Sequence, residues 1–186
     1  TKGLLPTARK RANLTRIQSA RAIRSMSSGI SIDQAGVKLA AAEESLRAKG
    51  WRPSDRVVIF DGVCVMCNSG VDFLLRWDSQ KQFKYAALQS DAGRALVLKY
   101  GAPSDLSTMV YVEDGVAHVR SEAVLRIGRR LGLPLRVPAQ IALVAIPLPM
   151  RDWFYTNVVA KNRYDVFGKR DVCRIADSGK EDQFLI

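Results

Sequence analysis

The hydrophobic period of the chain changes several times, and each change marks an element. Residues 31–49 read as a helix, with Ser31 or Asp33 as its cap and Gly50 as its stop. Pro53 and Asp55 then turn the chain. Val57-Val58-Ile59-Phe60 is an unbroken apolar run, the signature of a central strand covered on both faces. From Cys64 to Trp77 the apolar positions Cys67, Val71, Leu74 and Leu75 recur at helical spacing. Phe83 to Ala87 reads as a short strand, and Gln89 to Tyr100 as a helix ended by Gly101. Thr108 to Glu113 and Val116 to Arg120 read as strands joined by Asp114-Gly115, a strong hairpin signal. Ser121 is expected to cap a helix that runs through Leu131 and is closed by Gly132. Two more helical stretches follow, near Val137–Ile146 and Asp152–Tyr164.

The resulting order, β-α-β-α-β-β-α, is a parallel βαβ half followed by a hairpin and a covering helix. It predicts an α/β fold of thioredoxin-like type, with extra C-terminal helices and a basic N-terminal extension. The expected organisation is a basic arm over residues 1–30, a helical linker over 31–52, the thioredoxin-like domain over 53–175 and a C-terminal tail over 176–186. The most apolar stretch, Ile141 to Met150, is short and holds two prolines, so no membrane span is expected.

Composition changes this picture only at the N-terminus. With 47% hydrophobic and 25% charged residues among 186, the chain has material for a core. Of its net charge of +11, seven charges lie in residues 1–30, which carry Lys2, Arg9, Lys10, Arg11, Arg16, Arg21 and Arg24 and no acid; four are left for the rest. An arm rich in Arg, Ser, Ala and Thr has the composition of an organellar targeting segment, mitochondrial or alternatively plastid. Its helical pattern is poor, because Arg21 and Arg24 fall on the face of Leu14 and Ile17. Charge on all sides suits contact with RNA phosphates through Arg9, Lys10, Arg11, Arg16, Arg21 and Arg24, and equally suits a solvated tail. Such an arm cannot supply its own ordering, which points to neighbouring subunits of a large assembly. No aromatic side chain suited to base stacking occurs in residues 1–50, so any RNA contact is to phosphate and shape.

The candidate chemistry lies where the first core strand hands over to the next helix. Cys64 and Cys67 stand one helical turn apart, and the first turn of a helix offers unpaired N–H groups and the positive end of the dipole. A thiolate is stabilised there. Cys67 shares the core-facing stripe and Cys64 is expected to be the more exposed, so Cys64 is assigned as the attacking thiolate and Cys67 as the resolving thiol. Asp61 has two readings: a proton acceptor for the Cys67 thiol, or an acceptor for backbone N–H groups in the Asp61-Gly62 turn. Cys64, Cys67, Cys173 and His118 do not have the spacing of a zinc site, and no metal or other cofactor is expected. Cys173 is a third redox thiol or an inert buried cysteine. The late cations Arg151, Lys161, Arg163, Lys169, Arg170 and Arg174 read as a solvated face or as an extension of the basic patch. Trp153, Phe154 and Tyr164 read as core or domain-covering residues.

Phe60-Asp61-Gly62-Val63-Cys64-Val65-Met66-Cys67-Asn68 resembles the D-G-x-C-x-x-C signature of the DCC family of thiol-disulfide oxidoreductase-like proteins. Separated blocks also resemble it: Tyr85 to Ser90, Ser121 to Leu125, Arg151 to Tyr155, Asn162 to Tyr164, and Phe167-Gly168 with Cys173. Together they cover about residues 57–173. The resemblance implies a thioredoxin-like fold and disulfide exchange with protein or small-thiol partners, with Asp61, Cys64 and Cys67 as the defining residues. One feature departs from the wider thioredoxin pattern. The third strand is preceded by Asp105-Leu106-Ser107-Thr108 with no adjacent proline, which alters the edge where substrates dock. The alternative function is a non-catalytic structural subunit of a mitochondrial ribosome or other organellar complex, its arm contacting rRNA.

Overall fold

In the computed structural model, residues 32–104, 108–168 and 181–185 are described. The basic arm with all its candidate RNA contacts, Cys173 and the late cations Lys169, Arg170 and Arg174 lie outside them. Helix α1 (Ile32–Ala48) precedes strand β1 (Arg56–Phe60), helix α2 (Val65–Trp77), strand β2 (Phe83–Ala87) and helix α3 (Asp91–Tyr100). The hairpin β3 (Val110–Glu113) and β4 (Val116–Val119) follows, then helices α4 (Arg120–Arg130) and α5 (Leu133–Ala145). The last helical segment is α6 (Leu148–Phe154), a π-helical stretch (Tyr155–Ala160) and α7 (Lys161–Phe167).

The strands form one mixed sheet in the order β2-β1-β3-β4. β1 pairs with β2 in parallel and with β3 antiparallel. This is the thioredoxin-like arrangement that the element order predicts. Alternation along β1 divides the core in two. Val58 and Phe60 pack with Val71, Leu74 and Leu75 of α2 and with Ala123 and Ile127 of α4. Val57 and Ile59 pack on the other face with Leu46 of α1, Trp51, and Leu96 and Val97 of α3. A strand buried on both faces has no polar side to alternate with, which is why β1 reads as a continuous apolar run.

Turn chemistry follows the sequence closely. Asp114 (φ 51°) and Gly115 (φ 74°) both adopt the left-handed region that a two-residue hairpin requires. Gly101 caps α3 in the left-handed conformation, and Ser90 caps its start by accepting the Gly93 N–H. Ser121 differs from expectation. The N–H of Arg120 (φ 54°) donates to Thr108 Oγ1 at 2.8 Å, so Ser121 is already within α4, and its hydroxyl donates to Asp152 of α6 instead. At the other end of the chain, Gln183, Phe184 and Leu185 of the expected tail are buried, and the Leu185 N–H donates to Tyr85 O along the β2 edge.

Glu113 closes β3 and is 2% exposed. Four guanidinium groups face it, from Arg130 (2.6 Å), Arg129 (3.3 Å), Arg126 (3.5 Å) and Arg56 (3.8 Å). Burial by itself would raise its carboxyl, but the Arg130 hydrogen bond and the charges of Arg130, Arg129 and Arg126 outweigh that and hold it below the usual range.

Two stability predictions follow from these contacts. A Cβ at Gly93 would run into the Ala87 carbonyl and stand 2.9 Å from Leu88 Cα, both backbone atoms that cannot yield. Gly93→Ala is expected to cost about 3 kcal/mol by denaturant unfolding. A carboxyl depressed on folding contributes stability above its unfolded pKa of about 4.3 and loses it as the pH falls through the folded value. Unfolding free energy should therefore drop as the pH is lowered below about 4. Glu113→Gln should flatten that drop and cost about 2 kcal/mol at neutral pH, where four partly buried guanidinium groups lose their counter-charge.

Candidate active site

β1 ends at Phe60, and the chain turns through Asp61, Gly62 and Val63 before Cys64 opens α2. Cys64 is the N-cap residue, with extended backbone (φ −80°, ψ 120°) and its Sγ accepting the Cys67 N–H at 3.4 Å. A sulfur thus occupies the place usually taken by a Ser or Asp oxygen and meets the unpaired donors of the first helical turn. The Cys67 thiol is hydrogen-bonded to that sulfur, and both cysteines are free thiols. The two sulfurs therefore lie together at a helix start, as the spacing predicts.

Accessibility is where the structure departs from the sequence reading. Cys64 is 0% exposed and Cys67 is 7% exposed, so the N-cap sulfur is the more deeply buried. The end of α7 lies beside it: Gly168 accepts the Val65 N–H at 3.4 Å, and Tyr164 is within electrostatic reach of Cys64. No periodicity within α2 can report a helix folding back from a hundred residues later.

Asp61 is buried and acts as a junction. Its Oδ1 accepts the Val63 N–H at 3.1 Å and Gln89 Nε2 at 2.8 Å, and its Oδ2 accepts the Tyr164 hydroxyl. Gln89 answers with its Oε1, which accepts the Gly62 N–H at 3.0 Å, so the turns after β1 and β2 are stitched together. Asn68 Nδ2 donates to Gly62 O at 2.7 Å and Cys64 O at 2.8 Å and clamps the turn from the helix side. The backbone-acceptor reading of Asp61 is therefore seen in the geometry, with two side-chain donors added.

Arg163, expected on a solvated face, is buried beside the dithiol. Its guanidinium stacks on the Tyr164 ring at 4.6 Å from the centroid and donates to the Tyr164 hydroxyl at 3.2 Å. The Cys67 thiol is pushed up by burial first, then by the hydrogen bond and charge of Cys64 and by Asp61, with Arg163 opposing. Tyr164 is pushed up to about 12 by burial and by its hydrogen bond to Asp61. At neutral pH Cys67 therefore holds a protonated thiol. Trp153 and Phe154, read as core or domain-covering residues, are exposed, because the buried positions of this segment are Tyr155 and Arg163.

Sequence reasoning assigns Gln89, Asn68, Arg163 and Tyr164 no role at the site. The available signal is the place of Asn68 in the cysteine motif and of the others in the blocks that accompany it, at Tyr85 to Ser90 and Asn162 to Tyr164. His118 sits in β4 opposite Tyr111 and contacts Glu122 at 3.3 Å.

Comparison with known proteins agrees with this site. Residues 58–169 match the family model of the DCC1-like thiol-disulfide oxidoreductases. The chain is 43% identical over 120 residues to a chloroplastic DCC family protein of Arabidopsis thaliana, an alignment covering 64% of this chain and 69% of that protein. It is 36% identical over 132 residues to the uncharacterized protein YuxK of Bacillus subtilis (strain 168), covering 70% of this chain and 94% of that protein. No solved structure gives a significant match.

The electrostatics of the pair can be checked by following thiolate absorbance against pH. Removing the Asp61 charge in Asp61→Asn should move the higher of the two thiol titrations to lower pH. Removing the Arg163 charge in Arg163→Gln should move it to higher pH. An unchanged titration in both variants would show that neither charge acts on Cys67.

Proposed function

We propose, for a chain that belongs to the DCC1-like thiol-disulfide oxidoreductase family, dithiol–disulfide exchange in which Cys64 attacks and Cys67 resolves. One observation carries the assignment of roles. The Cys64 sulfur accepts both the Cys67 N–H and the Cys67 thiol, while burial and neighbouring charge keep Cys67 protonated. The sulfur that receives donors is the one placed to carry the thiolate charge.

In the forward direction the Cys64 thiolate attacks one sulfur of a substrate disulfide. A mixed disulfide forms and one substrate thiolate leaves. The Cys67 thiol then gives up its proton and attacks Cys64 Sγ, releasing the second substrate thiolate. Two electrons pass to the substrate, and the protein is left with a Cys64–Cys67 disulfide that a thiol reductant reopens. Asp61 is the carboxylate whose charge reaches Cys67, and we assign it the proton released at resolution, which it takes by giving up one of its present donors. Because Cys64 is sealed under the end of α7, each turnover includes displacement of the chain around Gly168. The substrates are protein or small-molecule disulfides. An organellar site of action, plastid or mitochondrial, is supported by the chloroplastic relative and by the acid-free, Arg- and Ser-rich first 30 residues.

Cys64→Ser is expected to reduce the rate of insulin-disulfide reduction to the uncatalysed level. Cys67→Ser should keep the first attack and accumulate a mixed disulfide, visible as a mass increase that a reductant reverses. Equal reduction rates for the native protein and Cys64→Ser would remove this function.

A further inference from the structure

Helix α5 packs against α4 through Ala139, which is buried, with its Cβ 3.3 Å from where a Cβ on Gly128 would sit. Its other side is apolar and open. Leu133, Val137, Ile141 (60% exposed) and Val144 (79% exposed) follow one another at intervals of four, four and three residues, a single helical stripe. Beyond the corner, in α6, Met150 and then Trp153 (66% exposed) are also open. Isolated exposed apolar residues are ordinary, but a continuous face of this length marks a docking surface.

Three observations say what covers it. From Leu133 to Met150 the sequence holds no acid and one cation, Arg136. Where α5 begins, an open groove of about 850 Å³ is lined by Trp77, Arg129, Arg130, Leu133, Arg136 and Gln140. No acid lines it, and Glu113, which pairs with both Arg129 and Arg130 from behind, offsets one of its three cations, so the groove stays positive. Lastly, among the described residues no single helix is long and apolar enough to cross a membrane, but Leu133–Ala145 and Leu148–Phe167 together reach that length and apolarity, bent by 119°. The first leg is too short to span and the second carries Arg151, Asp152, Lys161, Arg163 and Asp165; joined at a sharp corner, such legs suit the plane of a bilayer interface rather than its normal. A second copy of the chain would set the same cations against one another, and an apolar protein groove would have no use for the arginines.

We propose that the protein docks peripherally on an anionic lipid bilayer. The α5 stripe and the corner before α6 seat at the boundary of the acyl chains, and Arg129, Arg130 and Arg136 take lipid phosphates. Trp77 and Trp153 then lie at the headgroup level, where indole rings partition. The contact is interfacial and reversible and leaves the sheet and the dithiol outside the membrane.

Flotation of the full chain with vesicles tests this directly, using phosphatidylcholine alone and an equimolar mixture of phosphatidylcholine and phosphatidylglycerol. Binding is expected to the anionic vesicles and not to the neutral ones. The double variant Ile141→Glu with Val144→Glu replaces two exposed side chains and should retain cooperative unfolding and disulfide exchange while losing anionic-vesicle affinity by at least about tenfold. Arg136→Glu should weaken binding and its dependence on salt. Tryptophan emission of the native chain should be quenched by brominated acyl chains in the anionic vesicles. Absence of vesicle binding, equal binding to both vesicle types, or full binding by the double variant, which would assign the contact to the basic arm, would each overturn the proposal. So would self-association that the double variant dissolves in a protein that does not float.

Discussion

A single buried carboxylate, that of Asp61, joins three parts of the chain at this site. It closes its own turn through the Val63 N–H, ties the turn after β2 through Gln89, and receives the Tyr164 hydroxyl from α7. A buried ionised group is tolerable only when its lone pairs are filled, and here they are filled by donors from separate elements. The same contacts place the cysteine turn, position the helix that covers it, and set a negative charge within electrostatic reach of Cys67. Fold and chemistry therefore share one junction, and the D-G-x-C-x-x-C motif is as much a structural unit as a reactive one.

That junction gives the dithiol a particular character. In an open thioredoxin-type site the N-terminal cysteine meets solvent, whereas here it is the covered partner and the helix that follows the domain core forms the cover. The seal joins a backbone hydrogen bond from Val65 to Gly168 with an arginine stacked on a tyrosine, contacts whose individual net strengths are modest. A cover of that kind protects a reactive sulfur from indiscriminate oxidants and yields to a partner that can displace it.

Charge is distributed by function across the molecule. Acids are drawn inward, Asp61 to the cysteine turn and Glu113 to the end of β3, each surrounded by several donors. The guanidinium groups that serve Glu113 remain partly open and give the mouth of the α4–α5 groove a positive rim. The apolar stripe of α5 begins at that rim, so charge and hydrophobicity share an edge. The net charge of +11 is thus not a property of the N-terminal arm alone, although most of the excess lies there.

Sequence by itself determined the features that depend on neighbours along the chain. The unbroken run Val57 to Phe60, the Asp114-Gly115 turn with two positive φ angles, the glycine stop of α3 and the cysteine pair at a helix start all follow from periodicity and local turn geometry, which act over a few residues. Tertiary structure decided what depends on segments distant in sequence. Cys64 is buried because α7 returns to it, Arg163 is a neighbour of the dithiol rather than a surface cation, and Ser121 serves Asp152 because Thr108 has already met the Arg120 N–H. Trp153 and Phe154 point outward because Tyr155 and Arg163 occupy the inward side of the same helical segment. Each depends on a packing partner supplied from elsewhere in the chain, which periodicity within one element cannot report.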